Sequence, residues 1–218
     1  ERMGYWVNLD NAYVTFHNEY IESVWWALKK FFDAEVMYKG FKIQPFCPIC
    51  ESPLSSHEVA QGYIDLKDPS IYVKFKIKSG KYINSDFLVW TTTPWTLPSN
   101  VALAVNPKFT YVLIKLGSEQ FILCKERLSV IKEEFEVIEE INGKELELIE
   151  YEPLFNFFTL EKKSYYVTIG DFVTLEDGTG IVHIAPAYGE DDYNIGLKYD
   201  LPVLQAVMKN GLFIDDAK

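Results

Sequence analysis

The chain is short of cysteine, histidine and positive charge, and it has no long apolar run. It holds three cysteines, an odd number with two of them in one C-x-x-C. That argues against a secreted disulfide framework and for a reducing compartment. No apolar run approaches the roughly 20 residues that span a bilayer. Glu1-Arg2-Met3-Gly4-Tyr5-Trp6 lacks the charged-then-apolar layout of a signal peptide. It also lacks an initiator methionine, so the sequence reads as a piece of something longer. Three histidines are too few for most metal hydrolase sites. Neither a G-x-S-x-G elbow nor a G-x-x-x-x-G-K-[ST] phosphate loop is present, and there is no internal repeat or low-complexity tract. Lys and Arg total 21 against 32 Asp and Glu, a net charge of −11. Phosphate backbones are gripped chiefly by Lys and Arg, so a nucleic-acid role here requires a local basic patch or parts outside this chain.

What is present suits a folded protein. At 218 residues, 48% hydrophobic and 16% aromatic, the chain can bury the core of one large domain, or of a domain with an appendage. From Asn18, the residues Ile21, Val24, Trp25, Leu28, Phe31 and Phe32 recur at helical spacing and predict a helix over 18–34. Asn18 is the expected cap, Glu19 and Glu22 suit the positive end of the dipole, and Trp25, Trp26, Phe31 and Phe32 are expected in a core. Cys47-Pro48-Ile49-Cys50 presents two thiols on a tight turn. Zinc normally takes four ligands, and Cys124 is distant, so Cys47 and Cys50 read either as half a metal site completed elsewhere or as two inert thiols. His57-Glu58 opens like H-E-x-x-H, but Gln61 ends that match.

Beyond Asp68-Pro69-Ser70 the period becomes two. Ile71, Val73, Phe75 and Ile77 alternate with polar residues as a half-buried strand, and Ser79-Gly80 turns it into Tyr82–Trp90. Further strands are expected at 101–105, 110–116, 120–124, 165–169, 172–175 and 180–184, with a short helix over 125–134. Asn142-Gly143 is the strongest hairpin signal, joining 135–141 to 144–151. The expected fold is mixed α/β and predominantly β. A closed or nearly closed β-barrel over 63–218 follows a connecting segment over 1–62.

Two stretches are dense in polar groups. In Trp90-Thr91-Thr92-Thr93-Pro94-Trp95-Thr96-Leu97-Pro98-Ser99-Asn100, the prolines halt a strand just where three hydroxyls stand in a row. Strand alternation puts Thr91 and Thr93 on one side and Thr92 on the other. His183-Ile184-Ala185-Pro186-Ala187-Tyr188-Gly189-Glu190-Asp191-Asp192 is again a strand halted by proline, followed by a helix from about Gly189. Each stretch has a purely structural explanation. Threonine favours strands, acids suit a helix start, and a lone histidine is often a hydrogen-bonded core residue. If the two ends meet, they make one polar pocket with hydroxyls on one wall and a carboxylate on the other.

Together these stretches resemble the editing domain, connective peptide 1, of the isoleucyl-tRNA synthetases. Gly4-Tyr5-Trp6-Val7, Asn18–Lys29, Cys47–Cys50, Leu54–Val59 and Gly180–His183 extend the resemblance over nearly the whole chain. Valyl and leucyl relatives carry T-T-R-P where this chain has Thr91-Thr92-Thr93-Pro94, which points to the isoleucyl branch. The resemblance implies proofreading, the hydrolysis of valine misattached to isoleucine tRNA. A synthetic pocket separates two side chains differing by one methylene by only ~1–3 kcal/mol, which is why a second pocket is needed. It further implies that Thr92, Thr93, Asn100 and Asp192 are catalytic, with Asp192 accepting the α-ammonium. Thr91, Trp95, His183 and Tyr188 would bind the substrate. Water would attack an already reactive ester without a covalent intermediate. No cofactor is implied for editing. Zinc would need ligands outside this chain, and ATP is used by a synthetic domain whose HIGH-like and KMSKS-like signatures are missing here. The expected partners are the tRNA(Ile) 3′ end carrying valine and the rest of the synthetase, in a cytoplasmic monomer with no membrane contact. The family's editing domain continues past Lys218, so the last barrel elements are expected to lie outside this chain.

Overall fold

Two compact units divide the chain, Glu1–Lys42 and Ile43–Lys218. The computed structural model describes Gly4, Asn8, Asp10 and residues 12–215; Tyr5, Trp6 and Val7 lie outside the described residues. In the first unit the helical period forms α1, Asn18–Asp33, with Glu19 in its first turn and Lys30 in its last. His17, not Asn18, occupies the N-cap, and it makes no side-chain cap bond. The aromatic stripe expected in a core is exposed instead. Trp25 is 72% exposed and Trp26 65%, and no residue of α1 is buried. Amphipathic spacing gathers apolar side chains on one face, but it does not supply the surface that covers them.

The second unit opens with β1, Phe46–Cys47, and β2, Ser52–Pro53, paired antiparallel around the Cys47–Cys50 turn. Helix α2, Ser56–Gln61, starts at a capping box in which Ser55 and Glu58 satisfy each other's backbone N–H. His57-Glu58 therefore belongs to a helix start. The alternating run forms β3, Ile71–Lys76, antiparallel to β4, Asp86–Thr91. Residues from Tyr82 to Ser85 are a turn, closed by Ser85 N–H donating to Tyr82 O, so β4 begins later than its hydrophobicity suggests. There follow β5 (Ala102–Val105), β6 (Thr110–Leu116), β7 (Glu119–Cys124), β8 (Glu136–Asn142), β9 (Tyr166–Ile169), β10 (Ile181–Ile184) and α3 (Glu190–Lys198).

Among the described residues no sheet closes into the barrel expected over 63–218. The larger sheet runs β3-β4-β7-β6-β8 and the smaller β10-β5-β9. The chain leaves β4 through a 3-10 turn, Pro94–Ser99, so β5 starts a different sheet, parallel to β9 and antiparallel to β10. β4 meets β7 only at Asp86 and Phe87. The outer strands β3 and β8 carry Lys74 and Lys76, and Glu136, Glu139 and Glu140, and charge along an edge discourages further pairing. The two sheets share a core instead. Phe75, Phe87 and Val89 of the larger pack in one buried cluster with Leu103, Val105, Val167 and Ile181 of the smaller.

Three local expectations also change. Lys125–Val130 is a 3-10 turn rather than a helix to 134. Asn142-Gly143 does not make a hairpin. Asn142 caps a 3-10 turn, Gly143–Leu146, with its side chain accepting from Lys144 N–H. Gly143 is absent from the positive-φ glycines, whereas a hairpin of that type needs φ > 0 there. It is required for closeness, since a Cβ would stand 2.2 Å from Asn106 O. Residues 172–175 form no strand because side chains take the carbonyls that a ladder would have used. Asn106 Nδ2 donates to Val173 O at 2.9 Å, and Arg127 Nη1 to Leu175 O at 3.0 Å.

Candidate functional site

The two proline-halted strand ends meet. Across the smaller sheet, Ile184 pairs with Ala102 and His183 with Leu103, and Val101 N–H donates to Ile184 O at 3.0 Å. The 3-10 turn after Thr93 thus lies beside the end of β10. A 3-10 turn eclipses side chains three apart, and Thr93, Thr96 and Ser99 follow that spacing. Thr91 Oγ1 accepts from Thr93 N–H at 3.0 Å and lies 3.3 Å from Thr93 Oγ1, which in turn lies 3.5 Å from Thr96 Oγ1. The result is a chain of hydroxyls from the last residue of β4 into the turn. Thr91 is buried, while Thr92 and Thr93 are exposed.

Thr96 Oγ1 donates to Thr93 O at 2.8 Å and stands 2.9 Å from His183 Nε2. With its single proton given to the carbonyl, the hydroxyl can only accept from the ring, so His183 carries its proton on Nε2. Its Nδ1 is buried with no hydrogen-bond partner among the described residues. Burial pushes the imidazole down to about 4, and it is neutral at pH 7.

Asp192 lies in the first turn of α3, after Gly189 at the N-cap. A side chain at Gly189 would approach the carboxylate to 3.1 Å. Asp192 Oδ2 accepts from Ala185 N–H at 2.9 Å, which ties α3 to the end of β10. Burial pushes its carboxyl up to about 6, the Ala185 N–H opposes that shift and the charge of Asp191 adds to it. Trp95 packs edge-on against Tyr188 with ring centroids 5.4 Å apart, and the Trp95 side is about half exposed. Tyr188 OH accepts from Ser99 Oγ at 3.4 Å and from Val207 N–H at 3.1 Å. Thr91, Thr93, Thr96 and His183 form one contact set, and Trp95, Tyr188 and Ser99 a second. Asp192 and Tyr188 both bond the backbone of Ala185, two residues past His183, and the exposed Thr92 makes none of these bonds. Asn100 is buried. Its Nδ2 donates to Ala102 O at 2.8 Å, and its Oδ1 accepts from Tyr151 OH at 2.7 Å.

Thr96, Ser99 and Tyr151 were not picked out from the sequence. The threes spacing of Thr93, Thr96 and Ser99 across Pro94 was the available signal for the first two. Tyr151 is remote in sequence and carried none.

Cys47 and Cys50 sit on their own turn. Cys50 N–H donates to Cys47 Sγ at 3.4 Å. Backbone N–H groups of Cys50 and Ile49, and then the Cys50 thiol, hold the Cys47 thiol below its ordinary range, while Cys50 is pushed up. N–H groups aimed at sulfur suit a thiolate pair on a metal. Among the described residues no group of three or more His, Cys, Asp or Glu could hold a metal ion, so two ligands would have to come from elsewhere. Among the described residues no helix is long and apolar enough to cross a membrane.

Comparison with known proteins adds to this geometry. A family model described as tRNA synthetases class I (I, L, M and V) matches residues 1–191. The isoleucine–tRNA ligase of Clostridium acetobutylicum is 56% identical over 218 residues, covering 100% of this chain and 21% of that protein. That of Thermus thermophilus is 46% identical over 216 residues, covering 97% of this chain and 20% of that protein. The chain spans about a fifth of the length of the curated relatives it matches. Among solved structures, the crystal structure of GlLeuRS-CP1 shares the fold at a TM-score of 0.50 and 20% identity, covering 62% of this chain and 66% of that one.

Proposed function

Because the chain belongs to the class I tRNA synthetases, we propose that it is the proofreading portion of an isoleucyl enzyme. It would hydrolyse the ester of valine misattached to tRNA(Ile). The observation that carries this reading is the contact between the threonine turn and the end of β10, made by Thr96 Oγ1 and His183 Nε2 at 2.9 Å. It joins a row of hydroxyls to an uncharged imidazole, and Ala185, two residues past His183, carries the half-buried Asp192 carboxylate on its N–H.

Each residue then has a task. Ionised Asp192 receives the α-ammonium and so holds the amino acid by the end common to all substrates. His183 and Trp95, backed by Tyr188, form the wall that admits valine and excludes the longer isoleucine side chain. Thr91, Thr92 and Thr93 orient the ester and the attacking water, and Asn100 with Tyr151 holds the far end of the turn. Water adds to the ester carbonyl, the ribose oxygen leaves with a proton, and valine departs as the free acid. A neighbouring ribose hydroxyl assists. An imidazole at about 4 is a weak base, which favours attack by positioned water over a strong general base.

The editing portion begins after 62, since every residue given a task in the hydrolysis lies beyond it. Partners are the 3′ end of tRNA(Ile) and the remaining parts of the synthetase, in a cytoplasmic monomer whose tRNA grip is supplied largely outside this acidic chain. Editing needs no cofactor. Cys47 and Cys50 hold half of a zinc site that a longer chain completes, and ATP serves the synthetic reaction elsewhere. Incubating the 218-residue chain with Val-tRNA(Ile) tests the reading. Release of free valine with first-order kinetics supports it, and retention of intact aminoacyl-tRNA on the protein would make the chain a binding module instead.

A further inference from the structure

The segment between β9 and β10 has almost no secondary structure, yet its backbone is held throughout. Arg127 donates from Nε to Gly178 O at 2.8 Å, and from Nη1 to Leu175 O at 3.0 Å and Glu176 O at 3.2 Å. Cys124 N–H donates to Thr179 O at 2.9 Å, and Tyr111 OH to Gly180 O at 2.7 Å. Every one of these donors comes from β6, β7 or the turn after β7, all part of the larger sheet or its edge. The loop therefore ties that sheet to the start of β10 in the smaller one.

The loop also fits closely. Gly178 and Gly180 have φ of +71° and +75°. A Cβ on Gly178 would meet the Trp90 ring at 2.8 Å, and one on Gly180 would meet Cys124 Cβ at 2.4 Å. Trp90 directly precedes Thr91. β10 is an edge strand, paired only with β5, so on its outer side no ladder fixes where it starts. The inner side is held by the β5 ladder and the last two loop residues by Cys124 and Tyr111. Ahead of these, one guanidinium with three bonds holds the loop, and its planar fork reaches separate carbonyls that an ammonium could not span together.

We propose that Arg127 is a positioning residue for the candidate hydrolytic site. It clamps residues 175–178 against the larger sheet and thereby sets where β10 presents His183 to Thr96. The proposal rests on the proofreading reading for its kinetic consequence, but its structural consequence can be measured independently. The chain has three histidines, so the His183 ring signals are readily isolated in a histidine-labelled sample and assigned by their loss in His183→Asn.

The test compares wild type with Arg127→Met, Arg127→Lys and, as a control on the same turn, Lys125→Gln. Arg127→Met is expected to shift the His183 ring signals. It should lower kcat for valine release roughly tenfold to a hundredfold, the scale of a small misplacement in a hydrolytic site, with KM changed less than about twofold. Guanidinium at about 20 mM, too dilute to denature, should restore both readouts where sodium chloride at equal strength does not. Arg127→Lys should fall between, and it decides the matter if the Met variant does not fold. Lys125→Gln should match wild type. His183 signals at their wild-type positions in both Arg127 variants would overturn the proposal, whatever the activity. If wild type releases no valine, the proofreading reading fails, and the ring signals alone still decide the role of Arg127.

Discussion

Thr96 Oγ1 and His183 Nε2, 87 residues apart in sequence, stand 2.9 Å apart and are both buried. Because the Thr96 proton is committed to Thr93 O, this contact sets the tautomer of the imidazole and bridges the end of β10 to the threonine turn. Thr96→Val keeps the volume but leaves the ring N–H without an acceptor, at a cost of about 1–3 kcal/mol. Thr96→Ser retains the oxygen and should stay within about 0.5 kcal/mol of wild type. Urea unfolding of the two variants checks the difference. Equal midpoints would show that the hydroxyl is not the partner of the ring.

Asp192 gives a pH signature of opposite sense to an ordinary salt-bridged carboxylate. Its carboxyl is pushed up to about 6 from an ordinary 3.8. Between those values the folded chain holds a proton that the unfolded chain has lost. The associated stability is fully present below 3.8 and is lost as pH rises through about 6. Asp192→Asn, which still accepts from Ala185 N–H, should gain about 1–3 kcal/mol over wild type at pH 7 and almost nothing at pH 4. The same substitution should cut valine release roughly a hundredfold, by leaving the substrate ammonium unpaired. A variant that is less stable at pH 7, or fully active, contradicts this role. In wild type, kcat/KM should rise as pH passes through about 6.

Glycines separate by what surrounds them. At Gly143 a Cβ would lie 2.2 Å from a backbone oxygen, whereas at Gly117, with φ of +61°, it would meet nothing within 4 Å. Gly143→Ala should therefore cost more than about 3 kcal/mol and Gly117→Ala about 1 kcal/mol. Thermal unfolding of the pair would expose an error if the order reversed.

The three thiols should be alkylated in a set order. Backbone N–H groups favour the Cys47 thiolate, Cys50 is pushed up, and burial pushes Cys124 up to about 12. Iodoacetamide with a chelator present should label Cys47 first, Cys50 next and Cys124 last, as read by mass spectrometry of the peptides. Early labelling at Cys124 would contradict its packing.

Much of this fold was legible where local chemistry decides it. Alternation announced β3, β6 and β7 formed within one residue of the ranges expected for them, and Pro94 and Pro98 ended β4 where expected. Pairing order was not legible. Nothing in the apolar run of 86–91 says that it meets 121–122 in parallel, or that 102–105 leaves for another sheet, and the expected barrel failed on those two points. Residues 172–175 look like a strand because they are apolar, but Asn106 and Arg127, remote in sequence, satisfy their carbonyls. The helical period of α1 identified an apolar face without identifying what covers it. At the candidate site, the two proline-halted ends could be seen in the sequence. The threes spacing of Thr93, Thr96 and Ser99 was in the sequence too, but it acquires meaning only in a 3-10 turn, which the strand-like pattern before Pro94 did not announce.

The most direct test is a side-by-side time course of deacylation of Val-tRNA(Ile) and Ile-tRNA(Ile) by the 218-residue chain. Valine should be released at least about tenfold faster than isoleucine, the scale on which one methylene can be discriminated. The Asp192→Asn chain should release valine roughly a hundredfold more slowly than wild type. Equal release of both amino acids, or release unchanged by Asp192→Asn, would contradict the account.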